Sequence, residues 1–309
     1  MALSFRRKDP PLSDVDRDDD EMFRSLSSEL SGVDTRAPPL MEKVVAAVRT
    51  GKLRTPLMPQ RALDLLALTN AREVSFDALA RQAVQDPTVA LTVMRVASSP
   101  AYAAGGRPLD VKDALVRLGT DGVRQVAYDV AMSSRVARRG RFLPMLDRIL
   151  RHARTTSALA RILARELDLA PGPAALTGLL HAAGGLVIVD EIAAQRDQRS
   201  GAEVVAYLLV RRLHPWVGAR VVGTLGLDDD VVSALRHHHD TSLVGASMLT
   251  RLLAFVDLIA PAEPAARVVP LQLALERSGL PLSARVVVHR LQPIISTVDD
   301  VRLSHLSAP

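Results

Sequence analysis

Six side chains between residues 152 and 257 are of the kinds that hold a divalent cation: His152, His181, His214, His238, His239 and Asp257. Neutral imidazoles donate lone pairs and a carboxylate offsets charge, so such a set satisfies a dication in a dry pocket. There is no cysteine, which restricts any metal to His, Asp and Glu ligands and removes disulfides and thiol nucleophiles. Spacing alone does not show that the six converge, and most have a plainer reading. His152 suits a half-exposed helix face. His214 precedes Pro215 and can serve simply to start a helix there. The triplet 237–239 ends a helix, where imidazolium interacts well with the negative end of the dipole. Adjacent helical residues diverge by about 100°, so the three cannot all face one site. Asp257, in "RLLAFVDLIA", resists a plain reading, because a lone carboxylate on an apolar stripe is costly unless paired. His181 lies inside the apolar run "LTGLLHAAGGLVIVDEI" and is either a ligand, the remnant of one or a core residue.

A second group, "RVARRGRF", offers the guanidinium groups of Arg135, Arg138, Arg139 and Arg141 to a phosphate. Its plainer reading is a solvated linker between two helical halves. The net charge of +5 hints at an anionic partner. However, the arginines are interspersed with acids along helix-like segments, and aromatics at 3% leave little to stack on bases. Nucleic acid is therefore not the expected partner.

The elements that must position these residues read as helices almost throughout. "MEKVVAAVRT", "QRALDLLALTN", "VSFDALARQAVQ" and "DPTVALTVMRVA" carry helical periodicity, with Ser75 as a start signal and Asp86–Pro87 as an N-cap and first helical residue. The stretch "MLDRILRHARTTSALARILARELDL" is one long amphipathic helix. Further helices are expected at 174–196, 201–212, 215–225, 229–239, 243–260, 270–278 and 283–296. "GGLVIVDEI" is β-branched but lacks alternation, so it too is read as helix. The expected class is all-α, with two packed helical groups.

Residues 1–38 are polar, carry the acidic run "SDVDRDDDE", and read as a flexible tail. The N-terminus lacks the apolar core of a signal peptide, and no apolar run is read as reaching the ~18–20 residues that span a bilayer. A soluble, cytoplasmic protein is the expectation.

The ordered series "LRHARTTSALARILA", "LTGLLHAAGGLVI", "HPWVGARVVGTLGL", "VVSALRHHHD", "RLLAFVDLIA" resembles the HD phosphohydrolase superfamily. Residues 53–132 narrow the resemblance to the HDOD (HD-related output) domain, through Asp86 and Pro87, Ser98 and Ser99, Tyr102 and the segment 114–119. It implies an HDOD-like domain over 39–262, with an N-terminal helical half at 39–140, a degenerate HD-like half at 141–262, and a C-terminal helical extension at 263–309. Under this resemblance the six residues above occupy metal-site positions. The defining aspartate is replaced by Ala182, and a phosphate-binding lysine by Gly185. It implies a vestigial site with no catalytic residue and no cofactor, in a non-catalytic output or scaffold module of bacterial signalling. That module would bind a signalling protein, or a small ligand such as a cyclic dinucleotide. Alternatives are a degenerate metal-dependent phosphohydrolase acting on a nucleotide second messenger, with a single divalent metal as the surviving option, and a cyclic-nucleotide or nucleic-acid sensor. The oligomeric state stays open.

Overall fold

A computed structural model describes residues 15–35, 37–50, 60–71, 73–99, 101–102, 108–134, 140–194, 202–225, 227–260 and 270–295. These residues form helices and connecting turns, with no strand among them. In chain order the helices are α1 (Val15–Val33), α2 (Ala37–Arg49), α3 (Gln60–Thr69), α4 (Phe76–Ala83), α5 (Pro87–Ala97), α6 (Val111–Ser134) and α7 (Leu143–Ala164). They continue as α8 (Pro171–Leu180), α9 (Ala183–Ala193), α10 (Ala202–Gly223), α11 (Asp229–His237), α12 (Met248–Ile259), α13 (Leu271–Ser278) and α14 (Ala284–Ile295). The all-α expectation holds.

Local chemistry sets several boundaries. Ser75 caps α4 by accepting from the Ala78 amide at 3.2 Å, and Ser247 caps α12 by accepting from Thr250 at the same distance. Asp110 Oδ1 accepts from the Asp113 amide at 2.7 Å at the start of α6. Within α6 the chain kinks at Gly119, whose φ of +64° lies where a side chain is strained and glycine is not.

Two apolar cores share α6. The smaller gathers Leu65, Leu79, Val93 and Leu115 from α3 to α6. The larger is built from α1, α2 and α7 to α14, with Trp216, Phe255, Leu146 and Leu186 at its centre. Val123, Val126 and Val130 of α6 face the smaller core, whereas Tyr128 and Met132 face the larger. Polar groups join the two. Asp129, 2% exposed, accepts from Arg95 of α5 at 2.5 Å and from Arg154 of α7 at 2.9 Å. Gln125 donates to Ser157 Oγ at 2.9 Å. A buried carboxylate requires such partners.

Several boundaries depart from the sequence reading. Residues 15–33 of the expected tail form a helix, because Asp19, Phe23, Leu26 and Leu30 make a buried stripe that docks on the larger core. Residues 1–14 lie outside the described residues. α2 packs in the larger core rather than with the N-terminal half, through Met41, Val44 and Val45. The C-terminal helices are part of the same core, through Leu271, Leu275, Val287 and Leu291. The helix expected at 174–196 is two helices, breaking at His181–Ala182. Conversely, α10 runs unbroken through Pro215, although the ring leaves the Arg211 carbonyl without its intrahelical donor. Contrary to the expectation that no apolar run is long enough, Pro171–Ala193 has the length and composition to cross a membrane. It is divided between α8 and α9, and 89% of its most apolar window is buried inside the protein, as befits a core segment.

Candidate functional site

All six metal-type residues converge. His152 comes from α7, His181 from the end of α8, His214 from α10, His238 and His239 from the end of α11, and Asp257 from α12. A backbone contact brings α9 and α10 together. A Cβ on Gly184 would lie 2.1 Å from the His214 carbonyl oxygen and 2.6 Å from the Gly218 nitrogen, so only glycine permits this approach. It places the His181 and His214 rings 6.4 Å apart between centroids.

Asp257 is shared. His152 Nε2–H donates to Oδ1 at 2.8 Å and His239 Nε2–H donates to Oδ2 at 2.9 Å, while His181 Nε2 lies 3.5 Å from Oδ1. Three histidines spend their Nδ1–H on backbone carbonyls: His181 on Gly178 at 2.6 Å, His214 on Val210 at 2.9 Å and His238 on Leu235 at 2.9 Å. Each therefore turns Nε2 towards the centre, and His214 Nε2 stands 3.3 Å from His238 Nε2. His237 points elsewhere, pairing with Asp240 at 2.8 Å. The triplet thus divides as helical geometry requires.

Burial sets the protonation states. It pushes His181 down to about 4 and His214 to about 3, with His152 and His239 respectively adding repulsion. His238 is held well below the usual histidine range, chiefly by burial. Burial would also lower His239 and raise Asp257. Their mutual hydrogen bond, with that of His152, outweighs it, so His239 is raised and Asp257 is held well below the carboxylate range. At neutral pH His181, His214 and His238 are accordingly uncharged.

This donor set fits a cation. The ligand atoms of His152, His181 and Asp257 lie within 4.8 Å of one another, as do those of His214, His238 and His239. Neutral rings locked by Nδ1–H bonds to the backbone are the state and orientation that metal-binding histidines adopt. A bound ion would supply Lewis acidity. The carboxylate set is thin, since Asp257 is already committed and Ala182 is apolar and 4% exposed; at Gly185, the lysine position under the resemblance, a Cβ would sit 3.2 Å from Val210 Cγ1.

The arginine group behaves otherwise. Arg135, Arg138 and Arg139 lie outside the described residues, and Arg141 pairs with Glu203 at 3.4 Å on the surface. Sequence reasoning missed the anchor of α1, the helix that borders the outer edge of the site. Asp19 of α1, fully buried, accepts from Trp216 Nε1 at 2.6 Å and from Arg236 at 2.7 Å. Its signal was the spacing 19, 23, 26, 30, an i, i+4, i+7, i+11 stripe hidden in an acidic run.

A helical fold with histidines and an aspartate converging from five of its helices defines the HD-like class. Within that class the chain belongs to the HDOD domain family, whose profile matches residues 55–241. Among solved structures, the chain resembles a Shewanella amazonensis protein provisionally described as a metal-dependent phosphohydrolase. The two are 17% identical with a TM-score of 0.63, over 89% of this chain and 94% of that one. It also resembles an HDOD domain protein of unknown function from Geobacter sulfurreducens, at 20% identity and a TM-score of 0.57, over 88% and 99%. A Marinobacter aquaeolei protein provisionally described as acting in signal transduction is 20% identical with a TM-score of 0.55, over 87% and 65%. At these identities the likeness shows the fold. No curated protein matches the chain.

Proposed function

We propose that this chain is a non-catalytic output module of bacterial signal transduction, acting in the cytoplasm by binding a signalling protein. One observation carries the reading. The position that the HD resemblance gives to a metal-bridging aspartate is Ala182, a buried methyl, and the remaining acid, Asp257, is already bonded to two histidines. Hydrolysis on an HD site needs charge to bring an attacking water towards neutrality. Alanine provides none. Gly185 adds to this, because Val210 and Ile149 occupy the space around its missing side chain.

The test is a phosphodiesterase assay of the full chain with Mn²⁺, on a generic diester and a cyclic dinucleotide. No turnover is expected, and none from the double variant Ala182→Asp, Gly185→Lys. Turnover by the unmodified chain that disappears in Asp257→Asn would overturn the reading. Crosslinking in the source cells should recover a signalling protein.

A second reading, a single transition metal bound without hydrolysis, is favoured by the facing Nε2 atoms of His214 and His238. It is compatible with the first, since a metal can hold α7, α10, α11 and α12 together.

A further inference from the structure

A cavity of about 780 Å³ opens between α1 and the outer edge of the histidine cluster. Its volume is within the ~300–1,000 Å³ typical of small-molecule sites. Met22 and Leu26 of α1 wall one side, and Leu243 and Leu258 contribute apolar surface elsewhere. Arg211, Arg212 and Arg277 line it together with the acids Glu29 and Asp240. The acids are spoken for: Glu29 pairs with Arg212, and Asp240 with His237. Arg211 and Arg277 have no carboxylate partner among the described residues. The site therefore presents, beside an apolar wall, two guanidinium groups that no described carboxylate pairs with.

We propose that this cavity binds a phosphate ester with an apolar or aromatic body, its phosphate held by Arg211 and Arg277. Guanidinium forks match phosphate oxygens through charge-assisted hydrogen bonds, and the methionine and leucine side chains take the organic group. Inorganic phosphate lacks the body and an uncharged nucleoside lacks the charge, so both should bind poorly. Because α1 supplies one wall, an occupied cavity holds that helix more firmly to the larger core. This names a ligand class for the output module and rests on that reading only for its biological meaning; binding itself requires no chemistry at the histidines.

The experiment is calorimetric titration of the full chain with phenyl phosphate and guanosine monophosphate, with inorganic phosphate and guanosine as comparisons. Saturable binding of at least one ester is expected, weakened about tenfold or more in the double variant Arg211→Ala, Arg277→Ala. Both arginines are exposed, so the variant should keep the parent melting temperature. Hydrogen exchange across 15–33 should slow on addition of ester in the parent chain and not in the variant. No saturable binding of either ester up to about 1 mM, about −4 kcal/mol in affinity, would overturn the proposal. So would binding that ignores the two arginines, or that inorganic phosphate matches. Cleavage of a bound ester would refute the non-catalytic reading while supporting this one.

Discussion

His214 Nε2 faces His238 Nε2 across 3.3 Å, and the Nδ1–H of each ring is already given to a backbone carbonyl. With both rings neutral, two lone pairs point at each other, an arrangement that a shared cation relieves. Zinc or manganese should therefore raise the melting temperature of the metal-stripped protein in a concentration-dependent way, as mass action requires. The rise should vanish in the double variant His214→Ala, His238→Ala. Thermal melts with elemental analysis decide it, and an unchanged melt at saturating metal would leave these rings as packed core groups.

Acid should destabilise the fold in a defined window. His181 is held at about 4 and His214 at about 3, against 6.5 for an unperturbed histidine. Between those values the unfolded chain binds more protons than the native one, so stability rises with pH. Their contribution is complete above about pH 6.5 and is lost as pH falls towards the folded values, and His238 acts in the same direction. His239, raised, has the opposite sign, contributing below 6.5 and losing it as pH rises through its folded value. Three groups against one give a falling melting temperature from pH 6.5 to 4. Scanning calorimetry of His181→Gln should show a shallower slope.

The docking of α1 should depend on one buried acid. Asp19→Ala leaves Arg236 and the Trp216 indole N–H without their partner. Removing one member of a buried pair costs ~3–5 kcal/mol. The two arginines that flank Asp19 are 27% and 29% exposed, which places the loss at the lower end. Asp20 also pairs, with Arg49 at 2.6 Å, but is 57% exposed, and Asp20→Ala should cost about 0–1 kcal/mol. Urea denaturation of the two variants makes the contrast. Equal losses would mean that α1 is not held through Asp19.

Glycines offer a graded test of the α9–α10 contact. Gly184→Ala drives a methyl to 2.1 Å from the His214 carbonyl oxygen, so backbone must move, with an expected loss of at least ~1–3 kcal/mol. Gly185→Ala meets a side-chain carbon at 3.2 Å, which can yield, and should cost less. Gly32→Ala on α1 meets nothing within 4 Å and should stabilise by ~0.5–1 kcal/mol. Chemical denaturation ranks the three, and any other order would refute the close approach.

The sequence disclosed the helical class, the candidate set and the order of its members, because these rest on period and residue type. Asp257 was legible as a residue needing partners, since burial cost follows from its apolar neighbours. Its partners were not, because His152 lies 105 residues away and local pattern carries no distance. Propensity alone makes Pro215 a helix boundary. Packing against Gly184 and burial of Trp216 override one missing hydrogen bond there. The α1 stripe was masked by the charge of its first turns, although one of those charges, Asp19, is its deepest anchor.

The shared use of α6 has a consequence for how such chains evolve. Consecutive residues of that helix serve opposite cores, and Asp129 within it binds arginines from helices on both sides. A recombination breakpoint between the two halves would have to replace both faces of one helix and both of its counter-charges at once. Exchange of one half alone should therefore unpack both cores, whereas additions outside the two cores leave this helix and its counter-charges intact.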